Sequence, residues 1–144
     1  GRGRLIEKSC ATLIDYDSAV SSPEVQWRHV GGPLAPVPPS FGRQSVVAET
    51  RFMPADGARF RELTVESVWP WYMQRGARPL IYGHDPLGAP GNVVTFVAFP
   101  DISCWHALAT PEPAIAEAWV ERDRIAADRQ TRLLMVQSDY GVAD

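Results

Sequence analysis

Between residues 45 and 138 the hydrophobic period changes in a fixed order, and that order admits few architectures. Residues 45–53, SVVAETRFM, alternate: Val47, Glu49, Arg51 and Met53 share one face, and Val46, Ala48, Thr50 and Phe52 the other, which is the period of a strand. After PADG, residues 58–76 (ARFRELTVESVWPWYMQRG) carry helical spacing for about five turns and end on Gly76, a suitable C′ glycine. Pro70 lies inside this helix and cannot donate to the carbonyl four residues back. A kink is predicted there, turning Trp69, Trp71 and Tyr72 in directions a straight helix would not allow. ARPLIYGHD reads as a second strand, PLGAPG as a tight turn, and NVVTFVAF as a third strand rich in β-branched and aromatic residues.

Asp101 is placed to cap a short helix, ISCWHAL, and Thr110 followed by Pro111 carries the cap-then-proline signature of another. In that later helix Ile115, Ala118, Trp119, Arg122 and Ala126 fall at three- and four-residue steps. The apolar members are expected to face a sheet, with Arg122 snorkelling at its edge. TRLLMVQS is the last strand. The order β, α, β, β, short α, α, β is the split βαβ plan, an α+β fold with helices on one face of a four-stranded antiparallel sheet.

The first 44 residues differ in texture. Residues 4–14 read as one strand, and DYDSAVSSPE follows as a turn or short helix. HVGGPLAPVPPS then concentrates glycine and proline into a semi-rigid connector, either a passive arm or a substrate lid. The 144 residues thus divide into an N-terminal strand and arm (1–44), a regular domain (45–138) and a short tail (139–144). Fourteen Lys and Arg against 17 Asp and Glu give a formal charge of -3, which argues against nucleic acid as a partner. No apolar run approaches the roughly 20 residues of a membrane span. Cys10 and Cys104 lack metal-binding spacing and read as reduced thiols, and with no secretory-type segment the expected location is the cytoplasm.

At this level a family resemblance emerges. ETRFMPADG at 49–57, a helix with a proline near its end, LIYG at 80–83, NVVTFVAFPD at 92–101 and LATPEP at 108–113 together resemble the NIPSNAP family of dimeric α/β-barrel proteins. The series spans residues 45–138 and departs from the family at Met53, where its first strand usually carries a tyrosine. The resemblance implies a ferredoxin-like dimeric α/β barrel, a homodimer whose sheets pack through their helix-free faces. Independently, Val and Phe side chains on an uncovered face would form a large apolar patch, unless residues 1–44 cover it or the N-terminal strand pairs with a sheet edge.

The chemistry-bearing candidates cluster near strand ends. In YGHD, Tyr82, His84 and Asp85 bring a phenol, an imidazole and a carboxylate to one rim. A His84–Asp85 pair suits a general base with Tyr82 as donor, while plain turn chemistry is the alternative. Glu49 and Arg51 point the same way and are either substrate-binding groups in a cleft or a structural ion pair. His29 flanks the arm and is a second acid/base candidate if the arm closes over a pocket. His106 and Cys104, near Trp105, read as core or solvent-facing residues. Trp69, Trp71, Tyr72, Phe96 and Trp105 are candidates to line a pocket for a flat or polycyclic ligand.

No nucleotide, haem or zinc signature is present, so no cofactor and no metal is expected. Two functions follow: a cofactor-independent enzyme acting by acid/base chemistry on a small aromatic or polyketide-like substrate, of the cyclase, isomerase or monooxygenase type, or a non-catalytic dimeric module that binds a ligand or protein. A roomy cleft with His84, Arg51 or His29 converging favours the first, and a filled one the second.

Overall fold

The structure, a computed structural model, describes residues 2–7, 12–17 and 42–135. Six strands form one antiparallel sheet: β1 (Arg2–Glu7), β2 (Thr12–Asp17), β3 (Val46–Phe52), β4 (Arg78–His84), β5 (Val93–Phe99) and β6 (Arg129–Met135). Their order across the sheet is β1-β2-β4-β5-β3-β6. The strands from β3 onward make the expected four-stranded ferredoxin-like sheet. β5 lies between β4 and β3 and is buried at every position, with Val93, Val97 and Phe99 in the core on one face and Val94 and Phe96 in a cluster on the other, which fits its almost wholly apolar run. β6 is an edge strand whose exposed Arg129, Gln130, Thr131 and Arg132 discourage pairing with another chain.

The N-terminus departs from the single strand expected at 4–14. β1 and β2 are separate antiparallel strands, and β2 extends through Asp17, so the DYD read as turn or helix is strand. Asp15 pairs with His84 and Tyr16 with Gly83, so β2 protects the free edge of β4. The Pro/Gly-rich connector, His29 and Cys10 lie outside the described residues.

Helical turns cover one face. α1 (Gly57–Leu63) starts at Asp56, whose side chain accepts from the Arg59 N–H at 3.1 Å. The long helix read from the sequence then continues in two further pieces, a π-helical turn at Thr64–Val68 and α2 (Trp69–Gln74). Pro70 explains the break. It supplies no N–H to Glu66, its ring crowds that carbonyl, and the chain relieves the conflict by widening, so that the Trp69 N–H bonds to the Thr64 carbonyl five residues back. The expected kink is therefore a π turn. Gly76, at φ +91°, closes α2: its N–H reaches the Met73 carbonyl, and the Ala77 N–H reaches Tyr72.

Asp101 caps α3 (Ile102–Ala107) through the Cys104 N–H, as the sequence suggested. The later helix begins two residues beyond the Thr110–Pro111 signature. Glu112 is the cap and Pro113 opens a 3-10 turn (Pro113–Ile115) leading into α4 (Ala116–Ile125). Two x-Pro pairs stand side by side, and the second is the one used.

Val46, Ala48 and Phe52 of β3 and Val93, Val97 and Phe99 of β5 pack against Phe60, Val68, Trp69, Leu108 and Trp119 beneath the helices. Phe60 is wholly buried, and its loss would cost about 3–5 kcal/mol. On the opposite face Ile81, Val94 and Phe96 form a second cluster, 1%, 1% and 7% exposed within the single chain. The centre of the apolar patch that argued physically for a dimer is thus already covered, with Val47, Leu80 and Leu134 around it partly buried, and the homodimer rests mainly on the resemblance. Among the described residues no helix is long and apolar enough to cross a membrane.

Candidate functional site

The cleft between the sheet and the helices holds a cavity of about 120 Å³. Phe52, Thr95 and Phe99 rise from the sheet, Trp69 and Tyr72 descend from α2, and Trp105 and Trp119 close the sides. The rings contact one another edge to face: Tyr72 lies 5.8 Å from Phe99 and 6.4 Å from Trp119 between centroids. Such contacts fix ring orientations and leave the walls rigid. The rim opens at β6, where exposed Thr131 bonds across the ladder to Thr50 at 3.1 Å, and Arg129 is held by Asp123 at 2.8 Å.

Arg122 provides the charge in this cavity. It was expected to snorkel at the sheet edge, and instead it is 5% exposed. Its guanidinium lies 4.9 Å from the ring centroids of both Phe52 and Phe60, and its Nε donates to the Thr64 hydroxyl at 2.8 Å. No carboxylate stands within ion-pair distance of it among the described residues. Burial lowers its pKa, with Tyr72 and Asp123 opposing. Arginine nevertheless stays charged in proteins, so this is a buried cation held by two aromatic faces and a hydroxyl. Uncompensated burial of an ion costs several kcal/mol, on the order of what breaking a buried pair costs. The π turn contributes directly, since it carries Thr64 and opens onto Trp69.

Tyr72 is held above its ordinary pKa by burial, with Arg122 and Arg129 pulling the other way, so at neutral pH its phenol is a hydrogen-bond donor. Trp69 also meets Tyr82 edge to face at 5.9 Å, and Tyr82 in turn lines a second, more open cavity of about 650 Å³. Asp15, Asp17, Arg61, Tyr82, His84 and Asn92 line it. Burial pushes the Tyr82 phenol up to about 12.

The candidate residues therefore separate. Trp69, Tyr72 and Trp105 come together in the aromatic cavity. Trp71 is packed in the core against Trp119, and Phe96 belongs to the opposite face of the sheet; neither lines the cavity. Tyr82 and His84 share the second cavity. His84 and Asp85 do not pair: β4 ends at His84, and Asp85 is already bonded into the turn that follows. The carboxylate nearest the His84 imidazole belongs to Asp15, 3.8 Å away on β2. Asp85 instead accepts from the Leu87 N–H at 2.9 Å and from Arg51 at 3.2 Å.

Glu49, 4% exposed, lies on the helix-free face between Arg51 at 3.5 Å and Arg132 at 3.0 Å. That is the geometry of the structural ion pair, and neither Glu49 nor Arg51 reaches the sheet–helix cavity. Cys104 donates to the Arg75 carbonyl at 3.7 Å, and burial, with Asp101 nearby, raises its thiol pKa, the opposite of nucleophile activation. His106 is exposed beside Trp105. Among the described residues no group of three or more His, Cys, Asp or Glu could hold a metal.

Arg122, Thr64, Trp119 and Asp15 stand in or beside these cavities without having been site candidates on the sequence. Arg122 left a signal: a charge inside the stripe of Ile115, Ala118, Trp119 and Ala126 is either at a helix edge or deliberately buried. Asp15 left none, since its meeting with His84 depends on a pairing 69 residues apart in sequence, 84 against 15.

No protein-family model matches the chain, and no curated protein matches it. Solved structures do. A NIPSNAP family protein from Agrobacterium tumefaciens superposes with a TM-score of 0.54 at 10% identity, covering 66% of this chain and 88% of that one. SnoaB, a cofactor-independent oxygenase from Streptomyces nogalater, superposes with a TM-score of 0.52 at 10% identity, covering 65% and 94%. At such identities the likeness speaks for backbone architecture, and the chain has the ferredoxin-like, NIPSNAP-like fold that its sequence resemblance implied.

Proposed function

We propose that the chain is a cofactor-independent enzyme that acts by acid/base chemistry on a small aromatic or polyketide-like molecule in the cleft between sheet and helices. The observation that carries this reading is a rigid aromatic cavity with a buried cation, Arg122, and a phenol donor, Tyr72, in its walls. Preorganised donors in a dry site stabilise developing negative charge far better than water does. A substrate that loses a proton to become an enolate or phenolate would find its oxyanion matched there. SnoaB, of the same fold, is a cofactor-independent oxygenase, which supports the enzyme class without fixing the reaction.

The lining dictates where the acidity comes from. Among the described residues no carboxylate or imidazole faces this cavity, so the proton passes to solvent water at the open rim by Arg129 and Thr131, and Arg122 makes that transfer feasible by lowering the substrate's own pKa. His84 lines the neighbouring cavity. That same lining favours one other reading, a binding module without turnover. Hydrogen–deuterium exchange at the acidic carbon of small aryl ketones, followed by NMR, separates the two. The enzyme reading expects exchange accelerated by the protein and slowed at least about tenfold in Arg122→Met, the loss of one charged hydrogen bond. Ligand-induced quenching of tryptophan fluorescence with no accelerated exchange would establish the module instead.

A further inference from the structure

We infer that the cleft selects its ligand by charge and size together: a one-ring aromatic acid, bound as its phenolate, enolate or carboxylate anion with the anionic oxygen turned inward to Arg122. The inference rests on the reading of the cleft as a small-molecule site and names what that site takes.

Size comes first. A cavity of about 150 Å³ accepts benzene, and the one here is about 120 Å³. The space is somewhat smaller than that, so it holds no more than one ring, whose substituents project past the rim, and a polycyclic skeleton of the kind suggested by the sequence would lie largely outside it. The rim lies at Arg129 and Thr131 on β6, both exposed, so a substituent opposite the anionic oxygen has a way out.

Charge comes second. Arg122 is buried, sits between two phenyl faces and has only the Thr64 hydroxyl as hydrogen-bond acceptor among the described residues. Its Nε is used by Thr64, and the rest of the fork is left for a ligand that the aromatic walls can enclose. The groups facing this charge from the elements around it are Tyr72 on α2, Arg129 on β6, Asp123 beside it on α4, and Tyr82 on β4. Asp123 is occupied by Arg129, and both phenols are protonated at neutral pH. The local field is therefore positive, and an incoming anion supplies the missing countercharge. A neutral ring would gain the same aromatic contacts but leave the cation uncompensated, which is how a buried polar group turns affinity into specificity.

Para-nitrophenol and nitrobenzene test this on the full chain. They have similar rings, and only the phenol can ionise, with a visible band that reports the phenolate. Binding is read by tryptophan quenching and ionisation by absorbance. We expect the bound phenol to ionise at least about one pH unit below the free one, an anion preference of about tenfold, which is the lower end for a hydrogen bond to a charged group. Arg122→Met should abolish that shift while nitrobenzene still binds, and Arg122→Lys should restore part of it. If both probes bind and the phenol ionises at its free pH, or if the shift persists in Arg122→Met, the charge inference is overturned while the cleft remains a ligand site. If neither probe quenches the tryptophans, the reading of the cleft itself fails, and the inference with it.

Discussion

Thr64→Val isolates the contact on which the cleft depends. Thr64 is wholly buried in the π turn, and its hydroxyl accepts from Arg122 Nε at 2.8 Å. Valine keeps the branched shape and removes the acceptor, leaving a charged donor buried between two rings. A hydrogen bond to a charged group contributes about 1.5–3 kcal/mol, so a loss of about 2 kcal/mol is expected. For a chain of this length that corresponds to a fall in Tm of roughly 6–8 °C. Denaturant unfolding of four proteins makes the argument refutable: wild type, Thr64→Val, Arg122→Met and the double variant. Arg122→Met alone should be neutral or stabilising, because a buried ion gives way to an apolar chain of similar length that packs well against Phe52 and Phe60. In that background Thr64→Val should cost close to nothing, so the cycle yields a coupling of about 2 kcal/mol. If Thr64→Val costs the same with or without the guanidinium, the hydroxyl matters through packing of the π turn, and Thr64 does not hold the cation.

Two further measurements probe other parts of the molecule. The Tyr82 phenol, raised by burial from 10.0 to about 12, keeps its proton in the folded state where the unfolded chain would release it. Its contribution is therefore whole below 10 and is lost as pH rises towards 12, at up to about 1.4 kcal/mol per unit. Urea midpoints across that interval should fall more steeply for wild type than for Tyr82→Phe, and equal slopes would refute the assignment. At the turn, Asp85→Asn keeps an acceptor for the Leu87 N–H and gives up the charge facing Arg51, a half-exposed pair worth about 0.2–1 kcal/mol. Asp85→Ala removes both and should cost about twice as much in thermal unfolding. Equal losses in the two variants would mean that the ion pair, not the turn, is what Asp85 supplies.

Much of the fold could be read because it rests on local rules. The alternation of β3, the apolar run of β5, Asp101 as a cap and Gly76 as a stop each announce themselves within a few residues. What could not be read depended on contacts far apart in the chain. The division of residues 4–14 into two strands is invisible in their composition, and the partner of His84 is set by sheet order. The separation of His84 from Asp85 depends on where β4 ends, at His84, with Asp85 already bonded into the next turn. Pro70 was read correctly as a disruption, but a missing donor can be accommodated by bending or by widening, and the sequence does not say which.

Arg122 ties these threads together. A helix whose stripe needed only to pack would carry leucine or methionine at this position, and stability alone would favour that choice. Arginine persists there in a pocket shaped for it, with two phenyl faces, a hydroxyl delivered by the turn that Pro70 forces, and an open aromatic space beyond. Such a residue is destabilising in the empty protein and stabilising when an anion arrives. The fold and the ligand are thereby linked: an anionic ligand should raise Tm by more than the same ring without charge, and that excess should vanish in Arg122→Met. Equal stabilisation by charged and neutral rings in wild type would mean that the buried cation serves the fold and not the ligand.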